Sequence, residues 1–238
     1  MTRIWVVNPN TTETVTVGIG RSARAVAGSG TEITAVTSQF GPPSIESHYD
    51  EAMSVPGLLA GIERGEREGV DGYVIACFGD PGLDAARELA SGPVIGIAEA
   101  AMQTASHLGR GFSIVTTLGR TIGRAEELAE RYGMSRFCRG YHACEIPVLD
   151  LETDPTALKA VTEACRDAVE RDGSDAVVLG CAGMAEMCQH IADEIGVPVV
   201  DGVAAATLTV QSLVTMGLRT GKRGEYATPP PKEYTQRP

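Results

Sequence analysis

The sequence predicts an α/β fold built from two related halves. Short, continuously apolar runs alternate with helical segments, and one stretch of the first half recurs in the second. Continuous apolar strands that are each followed by a helix are typical of a parallel sheet covered on both faces. The chain has 238 residues, of which 43% are hydrophobic, so it is long enough to bury its own core.

The strands are predicted from apolar runs that end in turn residues, and helices are expected between them. In the helix predicted for 155–173, Asp154 is the expected N-cap and Gly173 the expected left-handed C-terminal residue. The apolar stripe of this helix comprises Leu158, Val161, Cys165 and Val169. The predicted strands are IWVV (4–7), EITAV (32–36), GYVIA (72–76), PVIGI (93–97), FSIVT (112–116), AVVLG (176–180) and VPVV (197–200).

An internal repeat relates the two halves. The segment 69–82 aligns without a gap with 173–186, so that Cys77 falls on Cys181. The match continues into the following strand and helix, and the opening strands of the two halves correspond loosely. A shared strand, turn and next strand indicate a duplicated α/β unit.

The repeat also predicts the domain organisation. We expect a first lobe of residues 1–110 together with 201–220, which adds a C-terminal helix, and a second lobe of residues 111–200. The remaining segment, 221–238, is polar and contains three consecutive prolines, so we expect an extended or disordered arm. Tyr226 and Tyr234 are the residues through which this arm would pack.

Composition narrows the classes of partner. The net charge is −11 and no cluster of lysine or arginine is present, which argues against nucleic acid or an anionic membrane surface and favours a small-molecule ligand. The apolar run in MTRIWVV is too short for a signal peptide, and no later run approaches membrane-spanning length, so we expect a cytoplasmic protein. The six cysteines form no CxxC pair and are expected as thiols.

Cys77 and Cys181 each follow a predicted strand. Ligands of parallel sheets bind at the carboxyl ends of the strands, and two lobes facing each other would place these thiols on opposite sides of one cleft. This arrangement suits a 1,1-proton transfer, in which one thiolate removes a proton and the opposing thiol delivers one to the other face. We expect the following helix N-termini to lower both thiol pKa values. A single cysteine here would more often be simple packing, but two at corresponding positions favour chemistry; we interpret the other four as packing residues.

Six motifs stand out along the chain: NPNTT (8–12), GPPSIES (41–47), ACFGDPGL (76–83), GIAEAA (96–101), FSIVTTLGR (112–120) and LGCAGM (179–184). Together they resemble those of the hydantoin racemases and the related allantoin racemases, within the aspartate/glutamate racemase superfamily. The resemblance extends from the N-terminus to about residue 220. It implies an aspartate/glutamate racemase-like fold, two pseudosymmetric parallel-sheet α/β lobes with the active site in the cleft between them. It also implies a homo-oligomer that needs no cofactor or metal and uses Cys77 and Cys181 as the catalytic acid and base.

The resemblance also implies a set of substrate contacts. Asn10 would donate to a substrate carbonyl, although its position after the first strand equally suits a helix N-cap. Thr116 and Thr117 would hold the ring imide and a developing enolate, while Ile45 would form an apolar wall. The full set of substrate-binding candidates is Asn10, Ile45, Phe78, Gly79, Thr116, Thr117, Ala182 and Gly183.

Three further titratable residues lie near these motifs. His48 could approach the cleft or lie on the surface. Asp80 and Glu99 flank the first cysteine motif, where helix capping explains them as well as catalysis does. Glu99 has Ala204 as its counterpart in the repeat, which leaves its role open.

The leading functional hypothesis is a racemase of 5-monosubstituted hydantoins, with allantoin as the alternative substrate. The amino-acid racemases of this superfamily need polar groups at the two cysteines, as in CNT and CTH, to bind an ammonium and a carboxylate. This chain has CFG and CAG there instead, which favours a neutral cyclic ureide over free glutamate or aspartate. Two alternatives remain open: a non-racemising relative such as a decarboxylase or isomerase, and a non-catalytic two-lobed binder of small molecules.

Overall fold

A computed structural model describes residues 1–233 and contains two separate sheets with the same strand order. In each sheet the chain's first strand lies between its second and third, and every pairing is parallel. The first sheet has the order β2-β1-β3-β4, with β1 Thr2–Asn8, β2 Thr31–Thr37, β3 Gly72–Ile75 and β4 Val94–Gly96. The second has the order β6-β5-β7-β8, with β5 Phe112–Thr116, β6 Cys138–Ala143, β7 Ala176–Leu179 and β8 Val199–Val200.

Helices connect the strands, which confirms the predicted class of two parallel-sheet α/β lobes. The α-helices are α1 Glu13–Val26, α2 His48–Glu68, α3 Leu83–Leu89, α4 Ile97–Ala105, α5 Ile122–Arg131, α6 Ala157–Asp172, α7 Cys188–Ile195 and α8 Gly202–Thr215. Short 3-10 turns cover Gly119–Thr121, Val148–Asp150, Ala182–Met187 and Gly224–Tyr226. No helix within residues 1–233 is both long and apolar enough to cross a membrane.

Apolar side chains from both sheets meet in one shared core. Along β1, Ile4 and Val6 face a cluster that also contains Phe112 of β5, whereas Trp5 and Val7 face a separate cluster beneath α2 and α3. A third cluster covers the outer face of the second sheet. Because apolar burial is continuous between the lobes, their carboxyl strand ends keep a fixed relation across one cleft.

The strand β6 escaped prediction. Its sequence, CRGYHA, carries no apolar run, and none of its residues is fully buried. It lies at the edge of the second sheet and pairs only with β5, so it does not need the continuous apolar pattern of a strand that is covered on both faces.

The helix α6 ends as predicted but begins differently. Gly173 adopts the left-handed conformation with φ of 60°. The prediction for Asp154 is wrong, because α6 begins at Ala157 after Thr156, and the Asp154 carboxylate instead accepts a hydrogen bond from the Thr156 backbone N–H at 2.7 Å. Leu158 is 37% exposed and lies off the buried stripe, where Ala157 and Ala168 pack instead.

Helix α8 and the described residues that follow it pack against the first half of the chain. Helix α8 packs against β1, β3 and β4 and against α1 and α4, and on these contacts we propose that 201–220 belongs with 1–110. Beyond it, Lys222 Nζ donates to the Arg87 carbonyl at 2.7 Å and the Tyr226 hydroxyl donates to Asp84 at 2.9 Å. Tyr234 lies outside the described residues.

Candidate active site

A cleft of about 180 Å³ opens between the two lobes at the carboxyl ends of β1, β3, β5 and β7. This volume lies below the range usual for drug-sized ligands, so the cleft suits only a small molecule. Every catalytic and substrate-binding candidate from the sequence lines it, and both lobes contribute. These residues are Cys77, Cys181, Asn10, Ile45, Phe78, Gly79, Thr116, Thr117, Ala182 and Gly183.

The two cysteines occupy matching turns. Cys77 follows β3 by two residues, and the turn is closed by a hydrogen bond from the Asp80 N–H to the Cys77 carbonyl at 2.9 Å. Cys181 follows β7 in the same way, and the Met184 N–H donates to its carbonyl at 3.1 Å. The repeat therefore extends to the hydrogen bond that closes each turn. The backbones then differ, because Asp80 has a positive φ of 45° whereas Ala182–Met187 form a 3-10 turn.

The first turn is anchored by a buried carboxylate. Asp80, only 3% exposed, accepts hydrogen bonds from the backbone N–H groups of Ala98 at 3.1 Å and Glu99 at 3.0 Å, and from the Tyr132 hydroxyl at 2.7 Å. It thus caps α4 from outside that helix. Burial raises the pKa of the Asp80 carboxyl to about 7, and the donated hydrogen bonds oppose this shift.

The second half caps its corresponding helix differently. There, Asp201 directly precedes α8 and accepts a hydrogen bond from the Val203 N–H at 2.7 Å. The position before α4 is Gly96, where an added Cβ would lie 2.2 Å from the Asp80 carboxyl carbon. The capping carboxylate therefore comes from the cysteine turn in the first half and from the end of the strand in the second, and Asp80 has a capping role.

Burial governs the charge state of both thiols. Each cysteine keeps some accessible surface, yet surrounding protein raises the pKa of Cys77 and of Cys181 to about 12. The backbone N–H groups of Gly79 and Gly183 lower these pKa values in part. A charge on Cys181 further raises the pKa of Cys77, so ionising one thiol disfavours ionising the other.

The expectation that helix N-termini lower these pKa values is wrong. Helix α3 begins only at Leu83, six positions after Cys77, and Cys181 leads into a 3-10 turn rather than directly into α7. The aligned peptide dipoles of a long helix do not end at either thiol, so desolvation dominates.

Polar candidates from both lobes are held by local hydrogen bonds. Asn10 does not cap α1, which begins at Glu13; its Oδ1 accepts from the Asn8 side chain at 2.8 Å and from the Thr12 N–H at 2.9 Å. Its Nδ2 group is therefore the part that can donate to a substrate. Thr116 Oγ1 lies 2.8 Å from Thr121 Oγ1, which fixes the end of β5.

An apolar wall faces these polar groups. Phe78, 7% exposed, and Ile45 both line the cleft. Ile45 belongs to the loop before α2, and its neighbour Glu46 accepts a hydrogen bond from the Val148 N–H at 2.7 Å. Since Val148 lies in the second half of the chain, this contact holds the loop across the cleft.

Sequence reasoning missed several charged residues that line the cleft, notably Glu46, Glu51, Arg120 and Arg124. Glu51 and Arg124 lie on amphipathic helices, where a charged residue is expected in solvent. How closely these two residues approach the cleft depends on how the lobes pack, which no local pattern in the sequence indicates.

The two remaining titratable candidates, His48 and Glu99, lie in different places, and only His48 lines the cleft. His48 is an exposed residue at the cleft, where it begins α2. Glu99 is not among the cleft residues and pairs with Arg87 of α3 at 2.6 Å, so its role is an ion pair behind the first cysteine turn. This pair accounts for the difference between Glu99 and Ala204 in the repeat.

Fold and site together define a two-lobed α/β protein whose ligand cleft is flanked by cysteines at equivalent strand ends. The sequence profile described as Asp/Glu/Hydantoin racemase matches residues 4–210. The chain belongs to this family and hence to the isomerases.

Individual relatives match over nearly the whole chain. The hydantoin racemase of Pseudomonas sp. (strain NS671) is 46% identical over 233 residues, which cover 98% of this chain and 94% of that protein. The hydantoin racemase of Rhizobium meliloti is 47% identical over 227 residues, or 95% and 94% of the two chains. The structure of allantoin racemase from Klebsiella pneumoniae is similar with a TM-score of 0.97 and 52% identity, covering 99% of this chain and 97% of that one.

Proposed function

We propose that this protein racemises 5-monosubstituted hydantoins by proton transfer at C5 between two cysteine thiols. The observation that carries the proposal is the equivalent placement of Cys77 and Cys181 in matching turns that line one cleft. Its relatives bear the names hydantoin racemase and allantoin racemase, which supports racemisation of a cyclic ureide.

The chemistry requires one thiolate and one thiol. The thiolate takes the C5 proton, and the C–H electron pair passes into the adjacent ring carbonyl to give an enolate. The opposing thiol then protonates C5 on the other face, which inverts the centre and leaves that cysteine as the thiolate. Because a charge on one thiol raises the pKa of the other, the pair favours the state with one thiolate and one thiol.

Hydrogen-bond donors would stabilise the enolate. Thr117, 3% exposed, and the Asn10 side-chain amide both line the cleft. Donors directed at a developing enolate oxygen lower the barrier because they interact more strongly with the transition state than with the ground state. Buried surroundings strengthen these interactions.

Allantoin is the second candidate substrate. The cleft lining combines the apolar residues Ile45 and Phe78 with the charged residues Glu46 and Arg120. The apolar group suits a hydrocarbon substituent at C5, whereas the charged group suits the polar ureido substituent of allantoin.

A direct comparison of substrates tests the proposal. Loss of optical rotation should be followed with single enantiomers of 5-benzylhydantoin, 5-isopropylhydantoin and allantoin. We expect loss with at least one of them, and the highest kcat/KM identifies the substituent that the cleft accepts. Absence of racemisation together with tight binding of all three would instead support the non-catalytic binder, and release of carbon dioxide from a malonate would support the decarboxylase.

The thiol pKa values predict how activity depends on pH. A thiolate is required, and both pKa values are raised, so the reactive form is scarce at neutral pH and grows as pH increases. We expect kcat/KM to rise about tenfold per unit between about pH 6 and pH 8. A plateau across this range in initial-rate measurements would show that the free enzyme already holds a thiolate.

Other features of the proposal follow from the family resemblance. We propose that the enzyme works without a cofactor or metal, assembles as a homo-oligomer and acts in the cytoplasm. Sizing of the purified protein and assay after dialysis against a chelator test the first two.

A further inference from the structure

Arg124 of α5, in the second half of the chain, reaches across the cleft to the turn that carries Cys77. Its Nη2 donates to the Gly79 carbonyl at 2.8 Å, and its Nε lies 3.3 Å from the same oxygen. Nη2 also lies 2.7 Å from a carboxylate oxygen of Glu51 on α2. One guanidinium therefore joins three elements beside a single thiol.

A second contact from the same region holds this turn. Tyr132, the residue after α5, donates to Asp80 at 2.7 Å. Gly79 and Asp80 are the second and third residues after Cys77, so Arg124 holds the backbone and Tyr132 holds a side chain of the segment that orients the thiol. In the other turn, the residue corresponding to Asp80 is the apolar Met184, whose thioether sulfur is only a weak hydrogen-bond acceptor.

Arg124 also balances negative charge near Cys77. The groups that face this thiol are Glu51 from α2, Asp80 from its own turn and Cys181 from the second lobe, and each raises the pKa of Cys77 when charged. Burial raises the pKa of the Glu51 carboxyl, and Arg124 opposes this shift while it offsets the charge of the carboxylate. Without the guanidinium, a smaller share of Glu51 would be ionised, but the charge of that share would act on Cys77 uncompensated.

We propose that Arg124 is a positioning residue for Cys77, through which the second lobe orients the first lobe's thiol and offsets the charge of Glu51. The proposal deepens the racemase function and rests on it for any effect on turnover. Its effect on the thiol itself can be measured without a substrate.

The test is site-specific alkylation. Wild-type protein and Arg124→Gln are treated with iodoacetamide at about pH 8, and the rates at Cys77 and Cys181 are obtained by mass spectrometry. We expect the ratio of the Cys77 rate to the Cys181 rate to fall about tenfold, the change that one pKa unit produces. We also expect kcat/KM for racemisation to fall about 10- to 100-fold through loss of a charge-assisted contact.

Two companion variants make the test specific. Arg166→Gln removes an ion pair between α6 and α7, that with Glu194, whose two residues do not line the cleft, and should leave the ratio unchanged. Adding Glu51→Gln to Arg124→Gln should raise the ratio of the Cys77 rate to the Cys181 rate part of the way back to its wild-type value, because it removes the uncompensated Glu51 charge. If Arg124→Gln fails to fold, Arg124→Lys keeps the charge with fewer donors and should give an intermediate ratio.

Each outcome decides the proposal. An unchanged ratio of the Cys77 and Cys181 rates in a folded Arg124→Gln or Arg124→Lys variant would overturn the proposal. If that unchanged ratio came with a rise in KM alone, Arg124 would instead be a substrate contact. If the wild-type protein racemises no ureide while the ratio still falls, the proposed function fails and the positioning role stands.

Discussion

Replacing either Cys77 or Cys181 with serine should reduce racemisation by about 10²- to 10⁴-fold, the usual contribution of a general acid or base. A serine hydroxyl is nearly the same size as the thiol but far less acidic, so the proton donor or acceptor is lost while the cleft keeps its shape. Racemisation is measured as the loss of optical rotation, starting from each enantiomer of the preferred substrate.

The matched control is Cys138→Ser. Cys138 lies in the edge strand β6 and does not line the cleft, and we expect its replacement to leave kcat/KM within about twofold, as for most changes away from a site. Comparable activity in Cys77→Ser and the wild-type protein would remove Cys77 from the mechanism, and the same reasoning applies to Cys181.

Replacing Asp80 with alanine should lower the free energy of unfolding by about 2–4 kcal/mol, because buried donors lose their acceptor. The backbone N–H groups of Ala98 and Glu99 and the hydroxyl of Tyr132 would be left without the carboxylate. Activity should fall as well, since the same carboxylate fixes the Cys77 turn. Urea unfolding followed by circular dichroism measures the first effect.

The neighbouring Asp84 provides the control. Its side chain is 49% exposed and pairs with Arg131, so Asp84→Ala should cost no more than about 1 kcal/mol. Tyr132→Phe removes one of the donors and keeps the acceptor, and its effect should lie between those of Asp84→Ala and Asp80→Ala. Equal stabilities for Asp80→Ala and Asp84→Ala would contradict the capping role.

Much of the fold was predictable because its central strands are covered on both faces. Such strands, for example 72–76 and 112–116, are mostly apolar along their whole length and so are visible in the sequence. The edge strand β6 has no such requirement and was missed. The placement of Cys77 and Cys181 followed from the general rule that parallel strands present their carboxyl ends to ligands.

The electrostatics of the site could not be predicted in the same way. The thiol pKa values depend on how closely the opposing lobe covers each cysteine, and the roles of Glu51 and Arg124 depend on the distance between α2 and α5. Both are properties of lobe packing between segments far apart in the chain. The local sequence predicted that a helix N-terminus lowers the pKa of each thiol, but burial raises both pKa values instead.

Deuterium exchange at C5 tests the two-thiol mechanism most directly. Each pure enantiomer is incubated in D₂O with Cys77→Ser or with Cys181→Ser, and exchange and configuration are followed by NMR and optical rotation. We expect each variant to exchange one enantiomer with retention, and the two variants to act on opposite enantiomers, because one thiol remains on one face. Exchange of the same enantiomer by both variants, or racemisation by either at the wild-type rate, would contradict the mechanism.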